Sequence, residues 1–245
     1  MINFPAVCID NFFDNPDKVR KWGLSLSKQK DPEGRWPGKR SEHLFKVDKQ
    51  WNQNLVVKIL LAYYGWESMN EVTWNESYIS FQVIKSHEHK NCNKGLIHMD
   101  ADSKDENGIA GLIYLSPNAD LNSGTSIYRL KDNHNFKKED GEHILKLKKD
   151  LYLNDSVDTK EWDKAIEKNY NDFDETIRFN NVYNRMICYN TFSWHGAMST
   201  NAGDDDRLTL VFFIRGLHAG MYPLSRVSSL PCEKIYLVVI FMVKD

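Results

Sequence analysis

Two of the chain's eight histidines, His98 and His195, sit inside apolar, strand-like text. In residues 95–100 (GLIHMD) the imidazole of His98 and the carboxylate of Asp100 are two positions apart. On an extended segment, residues i and i+2 project to the same face, so the two groups can converge on one point. Both are ligands for a divalent metal, but two ligands alone bind weakly. His195, in residues 193–198 (SWHGAM), comes from a separate strand-like run and completes a set of two histidines and one carboxylate.

That set leaves coordination positions open and is the donor set of non-haem Fe(II) oxygenases. His-x-Asp alone carries little weight, because 8 His and 21 Asp in 245 residues give about 0.7 such pairs by chance. Order and context add the rest. Arg207 opens residues 207–215 (RLTLVFFIR), where alternation puts Arg207, Thr209, Val211 and Phe213 on one face and Leu208, Leu210, Phe212 and Ile214 on the other. An arginine at the mouth of an otherwise apolar strand suits a buried carboxylate, which guanidinium grips as a bidentate fork. Thr209 can donate one more hydrogen bond.

The order His98, Asp100, His195, Arg207, Thr209 resembles that of the Fe(II)- and 2-oxoglutarate-dependent dioxygenases, and most of all their prolyl-hydroxylase-like branch. There His-x-Asp is followed by an apolar strand with tyrosine and then a glycine-threonine turn; here these are AGLIYLSP with Tyr114, and NSGTSIYR with Gly124 and Thr125. The resemblance covers about residues 78–217. It implies a double-stranded β-helix, iron on His98, Asp100 and His195, 2-oxoglutarate on the metal with its far carboxylate at Arg207, and O2 as oxidant for a hydroxylation. By the same resemblance Tyr114 donates to that carboxylate, although a strand tyrosine is by default a packed aromatic. The stretch before His-x-Asp (KSHEHKNCNKG) lacks the branch's tyrosine and glycine spacing, which leaves the second 2-oxoglutarate-binding side chain open.

The elements that must position these residues are mainly β. From Tyr78 onward come short runs rich in β-branched and aromatic residues, YISFQVI, GLIHMD, IAGLIYL, TSIYRL, RMICYN, SWHGAM and RLTLVFFIR, which predict a sandwich or barrel of jelly-roll or cupin-like type. Before them, Asn15-Pro16 predicts a capped helix over 16–28, residues 31–42 a loop, and Trp51, Leu55, Ile59 and Tyr63 a helix over 49–64. Residues 131–181 break the strand texture as an insertion, with a helix capped by Asp158 that carries Trp162, Ala165 and Ile166; long excursions of this kind often form lids. A single domain is expected, because the presumed ligands bracket the insertion: helical support over 1–76, the β core over 77–217 and an extension over 218–245.

The remaining candidates have simpler readings. His87 and His89 lie in a lysine-crowded loop, His218 lacks a matching partner, and Asp204, Asp205 and Asp206 read as a hairpin turn, although the triplet could also pair with Arg207 on the surface. Arg129 and Trp194 flank the presumed pocket. KLKKD at 146–150, interleaved with acids, reads as a solvated face. A net charge of −2 gives a nucleic-acid substrate no support. Four scattered cysteines fit reduced thiols in a cytoplasm, and the amino terminus lacks a leader pattern. The apolar run from Ile235 to Val243 is too short for a membrane helix and reads as a buried strand. The expected substrate is a peptide or protein side chain, such as proline, or a small molecule. The rivals are a catalytically silent β-helix used for binding or assembly, and a cupin-like metal protein that does not use 2-oxoglutarate. Oligomeric state is not readable from the chain.

Overall fold

The computed structural model describes residues 2–101, 107–134, 140–203 and 206–224. The first strand, β1 (Val7–Ile9), is followed by α1 (Pro16–Ser25), where the Asn15 side chain accepts from the N–H of Lys18 and proline occupies a position that needs no donor. Short β2 (Lys28–Gln29) and β3 (Lys39–Ser41) follow, and then α2 (Leu44–Val47) and α3 (Lys49–Leu60). Asp48 caps α3 through Trp51, and its Leu55, Val56, Ile59 and Leu60 are buried. Both long N-terminal helices end a few residues before the sequence periodicity suggests.

The β core begins with β4 (Glu76–Ile84), β5 (Gly108–Tyr114) and β6 (Thr125–Leu130). After α4 (Asp140–Tyr152) and α5 (Thr159–Asn171) it continues with β7 (Phe173–Phe179), β8 (Met186–Asn190), β9 (Trp194–Ala197) and β10 (Arg207–Arg215). A seven-stranded sheet has the order β1-β8-β5-β10-β4-β3-β2, and a three-stranded one the order β7-β6-β9, with antiparallel pairing throughout. This is a jelly-roll, the double-stranded β-helix, with flanking helices.

The large sheet is apolar on both faces for different reasons. Its outer face, with Ile79, Phe81, Ile109, Ile113, Leu208, Leu210, Phe212 and Ile214, packs on Leu44, Leu55, Val56, Ile59 and Leu60 of the helices. Its inner face, with Ala110, Leu112, Tyr114, Ile187, Tyr189 and Val211, meets Ile127 and Phe179. Each fully buried side chain of this size is worth about 1.5–3 kcal/mol, so the outer face locks the strand register. A slip of one residue in β10 would drive Arg207 and Thr209 into the helix-facing core. Gly111 permits the close approach of β5 to its neighbours, since a Cβ there would strike the Ile187 carbonyl oxygen and the Phe212 ring.

Two sequence expectations are corrected here. Residues 95–100 are not a regular strand; they meet β9 through an isolated antiparallel bridge between His98 and His195 and a hydrogen bond from the Gly95 N–H to the Ala197 carbonyl. The 131–181 segment is not wholly an insertion, because β7 within it pairs with β6 as an edge of the small sheet. Its exposed Glu175, Thr176, Ile177 and Arg178 hide the alternation that would mark a half-buried strand. The helical part, moreover, is bound into the fold. Leu147, Leu151, Tyr152, Trp162 and Ile166 form one buried cluster with Cys92 and Leu96, just ahead of His98.

The 225–245 stretch, with its apolar run and Cys232, and Asp204 and Asp205 lie outside the described residues. Among the described residues, Cys8, Cys92 and Cys188 are free, and no helix is long and apolar enough to cross a membrane.

Candidate metal centre

His98 and His195 are joined through their backbones, each N–H donating to the other's carbonyl at 2.9 Å. Residues paired in this way send their side chains to the same side of the ladder, and the two ring centroids stand 4.5 Å apart. Each Nδ1 lies beside the carbonyl of the residue two positions earlier, Leu96 at 2.8 Å and Ser193 at 3.0 Å. A carbonyl only accepts, so Nδ1 carries a proton in both rings, and Nε2 is the atom left facing Asp100 and a ligand.

Asp100 completes the set. Its N–H donates to the Thr191 carbonyl at 3.0 Å, which places the carboxylate 3.1 Å from Nε2 of His195 and 3.6 Å from Nε2 of His98. One ligand atom from each of the three residues lies within 4.8 Å of the others. His195 is buried, whereas the His98 side chain is 45% exposed and forms the open side. Burial alone would raise the Asp100 carboxyl, but the two imidazoles beside it hold it well below the usual carboxylate range. The aspartate is therefore anionic and poised for a cation. Two imidazoles whose Nδ1–H groups are tied to carbonyls, with a carboxylate beside both Nε2 atoms, are a donor set that fits an Fe(II)-type ion.

The same cavity is lined by Leu112, Thr125, Tyr189, Val211, Phe213 and Arg207. β10 delivers Arg207, Val211 and Phe213 to it by alternation, as the sequence predicts. Arg207 is buried; its Nε donates to the Ser123 carbonyl at 3.1 Å, and its Cζ stands 5.6 Å from the centre of the Tyr114 ring. Its Nη2 and the buried Thr209 Oγ1 have no hydrogen-bond partner in the protein. An unpaired buried donor costs about 1–3 kcal/mol, and a carboxylate in the cavity beside Arg207 would satisfy its Nη2. The residues present thus fit 2-oxoglutarate as well as a metal.

Tyr114 stands beside Arg207. It is fully buried, and its hydroxyl donates to Thr125 Oγ1 at 3.1 Å. Thr125, rather than Tyr114, is among the cavity-lining residues. Gly124 ahead of it is required, because a Cβ there would collide with the Phe179 carbonyl oxygen.

Several other predicted positions fall away from the cavity. Arg129 is exposed and pairs with Asp174 at 3.2 Å, and Trp194 packs on Phe173. His89 bonds Asp163 of α5 at 2.7 Å, the backbone of His87 is held by Asn93, and His218 exchanges backbone hydrogen bonds with Thr73.

Others were not singled out in the sequence yet line the cavity. Arg40 and Gln82 come from β3 and β4, Tyr189 from β8, and Lys148 and Tyr152 from α4. Lys148 corrects the reading of KLKKD as a wholly solvated face. Helical spacing offered a signal for it, since Leu147 and Leu151 mark the buried stripe and Lys148 lies beside it. Alternation from Ile187 in RMICYN offered the signal for Tyr189.

Fold and site together define a jelly-roll protein with an open His-x-Asp and His group at one end of its inner cavity. The chain belongs to a family described only as of unknown function, DUF6445, whose model matches residues 3–214. No curated protein matches it in sequence. Among solved structures it is similar to EvdO2 from Micromonospora carbonacea var. aurantiaca, at 12% identity and a TM-score of 0.52 over 89% of each chain. EvdO2 complexed with 2-oxoglutarate gives 13% identity and a TM-score of 0.51, again over 89% of each chain. HygX from Streptomyces hygroscopicus, with nickel and 2-oxoglutarate bound, shares 14% identity over 89% of this chain and 84% of its own, at a TM-score of 0.47.

Proposed function

We propose that the protein is a non-haem Fe(II)- and 2-oxoglutarate-dependent oxygenase of the cytoplasm that uses O2 to hydroxylate a peptide side chain or a small molecule. The observation that carries this reading is the buried Arg207, with a free Nη2, on the same cavity as His98, Asp100 and His195. A metal-binding cupin that does not use 2-oxoglutarate has no need of a buried, half-satisfied guanidinium, which is costly to maintain. A binding module has no need of the three converging ligands. The likeness to EvdO2, which has been crystallised with 2-oxoglutarate, supports the same reading.

When bound, iron, 2-oxoglutarate and O2 together supply the oxidation that turns a C–H bond into C–OH and releases succinate and CO2. The chain's own residues do the positioning. His98, Asp100 and His195 hold the metal from one side and leave the other free. Arg207 and Thr209 orient the far carboxylate of 2-oxoglutarate by charge pairing and hydrogen bonding. Leu112, Val211 and Phe213 line the cavity with apolar surface and keep water from the reacting groups.

The reading is tested by incubating the purified protein in air with Fe(II) and 2-oxoglutarate and measuring succinate. Slow succinate formation that is abolished in Asp100→Ala is expected even without the substrate. Folded, iron-loaded protein that forms no succinate would favour the rivals.

A further inference from the structure

The cavity carries more positive charge than the proposed cofactors use. Its lining includes Arg35, Arg40, Lys94, Lys148 and Arg207 against a single carboxylate, Asp100, in a chain whose net charge is −2. On the reading proposed above, the metal dication and Arg207 are balanced by Asp100 and the dianionic 2-oxoglutarate. Arg35 is balanced within its own loop, where it grips Asp31 through Nε and Nη2 at 3.0 Å each. Lys94 stands over the Tyr170 ring at 5.6 Å, which leaves Arg40 and Lys148 facing the cavity without a counter-charge. Neither makes a salt bridge among the described residues.

Arg40 is the more telling of the two. It comes from β3 at the edge of the large sheet, and its guanidinium lies over the Trp36 ring at 4.4 Å and 5.9 Å from the centre of the Phe213 ring. Nη2 meets the neutral Oε1 of Gln82 at 3.3 Å, with Gln82 itself fixed by donating to the Pro37 carbonyl at 2.6 Å. The Nε is buried with no partner. The acids nearest in electrostatic terms, Asp100 and Asp31, are committed to the imidazoles and to Arg35. Burial pushes Arg40 down to about 10, so it is desolvated yet charged at neutral pH. A guanidinium stacked on aromatics, desolvated and left without a carboxylate is costly unless a ligand supplies the anion. Lys148 reaches the same cavity from α4, and its ammonium is likewise depressed by burial.

We infer that Arg40 and Lys148 form a second anion subsite beside the metal centre, and that the substrate presents an oxyanion, a phosphate or a carboxylate, to it. The inference rests on the oxygenase reading for its meaning, but not for its test.

The experiment is calorimetric titration of the intact protein with phenyl phosphate, benzoate and benzyl alcohol, first metal-free and then with saturating nickel and 2-oxoglutarate. At least one of the two anions is expected to bind in both states and benzyl alcohol in neither; which anion binds separates a phosphate from a carboxylate substrate. Arg40→Gln and Lys148→Gln should each weaken that binding about tenfold or more, as loss of a charge-assisted hydrogen bond does. Lys148→Gln keeps the test open if Arg40→Gln fails to fold. Anion binding that is no stronger than that of the alcohol, that survives both variants, or that is lost only in Arg207→Met would overturn the subsite. If nickel and 2-oxoglutarate fail to bind while the metal-free anion arm behaves as expected, the subsite stands and the oxygenase reading falls.

Discussion

His98 and His195 exchange both backbone hydrogen bonds at 2.9 Å across a single bridge, and this pairing points their rings to the same side. Asp100 hangs two residues further along the same segment, so main-chain pairing alone brings the three candidate ligands together. Replacing either His195 or Asp100 by alanine should leave the β core folded but remove tight metal binding. The loss, measured by anaerobic titration with Fe(II) or with nickel, should exceed the roughly 10–100-fold cost of disturbing outer partners alone.

On the proposed reading, Arg207 and the triad have separable roles. Arg207→Met should raise the 2-oxoglutarate requirement by roughly 10- to 150-fold, the equivalent of about 1.5–3 kcal/mol for a charged hydrogen bond, with metal affinity nearly unchanged. Thr209→Val should act in the same direction with a smaller effect. Tyr114→Phe should change the 2-oxoglutarate requirement little, because that hydroxyl is spent on Thr125. Equal losses of metal and 2-oxoglutarate binding in Arg207→Met would count against its assigned role.

Asn169 of α5 clamps the backbone just before His98, accepting from the N–H of Ile97 at 2.7 Å and donating to its carbonyl at 3.2 Å. Tyr170 adds a hydrogen bond to the Gly95 carbonyl at 2.9 Å. Asn169→Leu leaves both Ile97 groups buried and unpaired, which should cost about 1–3 kcal/mol of stability for each. It should also weaken nickel binding, although the side chain touches no ligand. A denaturant series and a metal titration on the same variant check this. The same contacts predict that removing residues 135–176 unfolds the β core rather than merely opening a lid.

Asp31 ties the loop that carries Arg35 and Trp36 to itself. Burial would raise its carboxyl, but the hydrogen bonds from Arg35 more than reverse this, and its pKa falls below 3.8. A carboxylate with a depressed pKa contributes stability that is present above the unfolded value and lost as pH falls through the folded one. The wild type should therefore lose stability from this source below about pH 4, and Asp31→Asn should be less stable at neutral pH with a flatter acid limb in that window. Urea midpoints followed from neutral to acid pH measure both.

Much of the centre was legible because strand alternation is strict. Once Arg207 was placed on one face of β10, Thr209, Val211 and Phe213 had to follow, and Leu208 to Ile214 on the other face took the helix-facing core. The cation subsite was not legible, for two physical reasons. Arg40 lies in a stretch whose prolines and glycines mark a loop, and it becomes a strand only by pairing with β4. Lys148 sits among exposed lysines on a helix with one narrow buried stripe, and only the packing of Leu147 and Leu151 turns that side toward the cavity. Both positions depend on contacts far apart in the chain, which local periodicity does not record.

The most direct measurement is an anaerobic titration of the metal-free protein with Fe(II) and then 2-oxoglutarate, followed in the visible range. A weak charge-transfer band that needs both additions and is absent from His195→Ala is the predicted result. Folded wild-type protein that shows no band at saturating Fe(II) and 2-oxoglutarate would contradict the assignment.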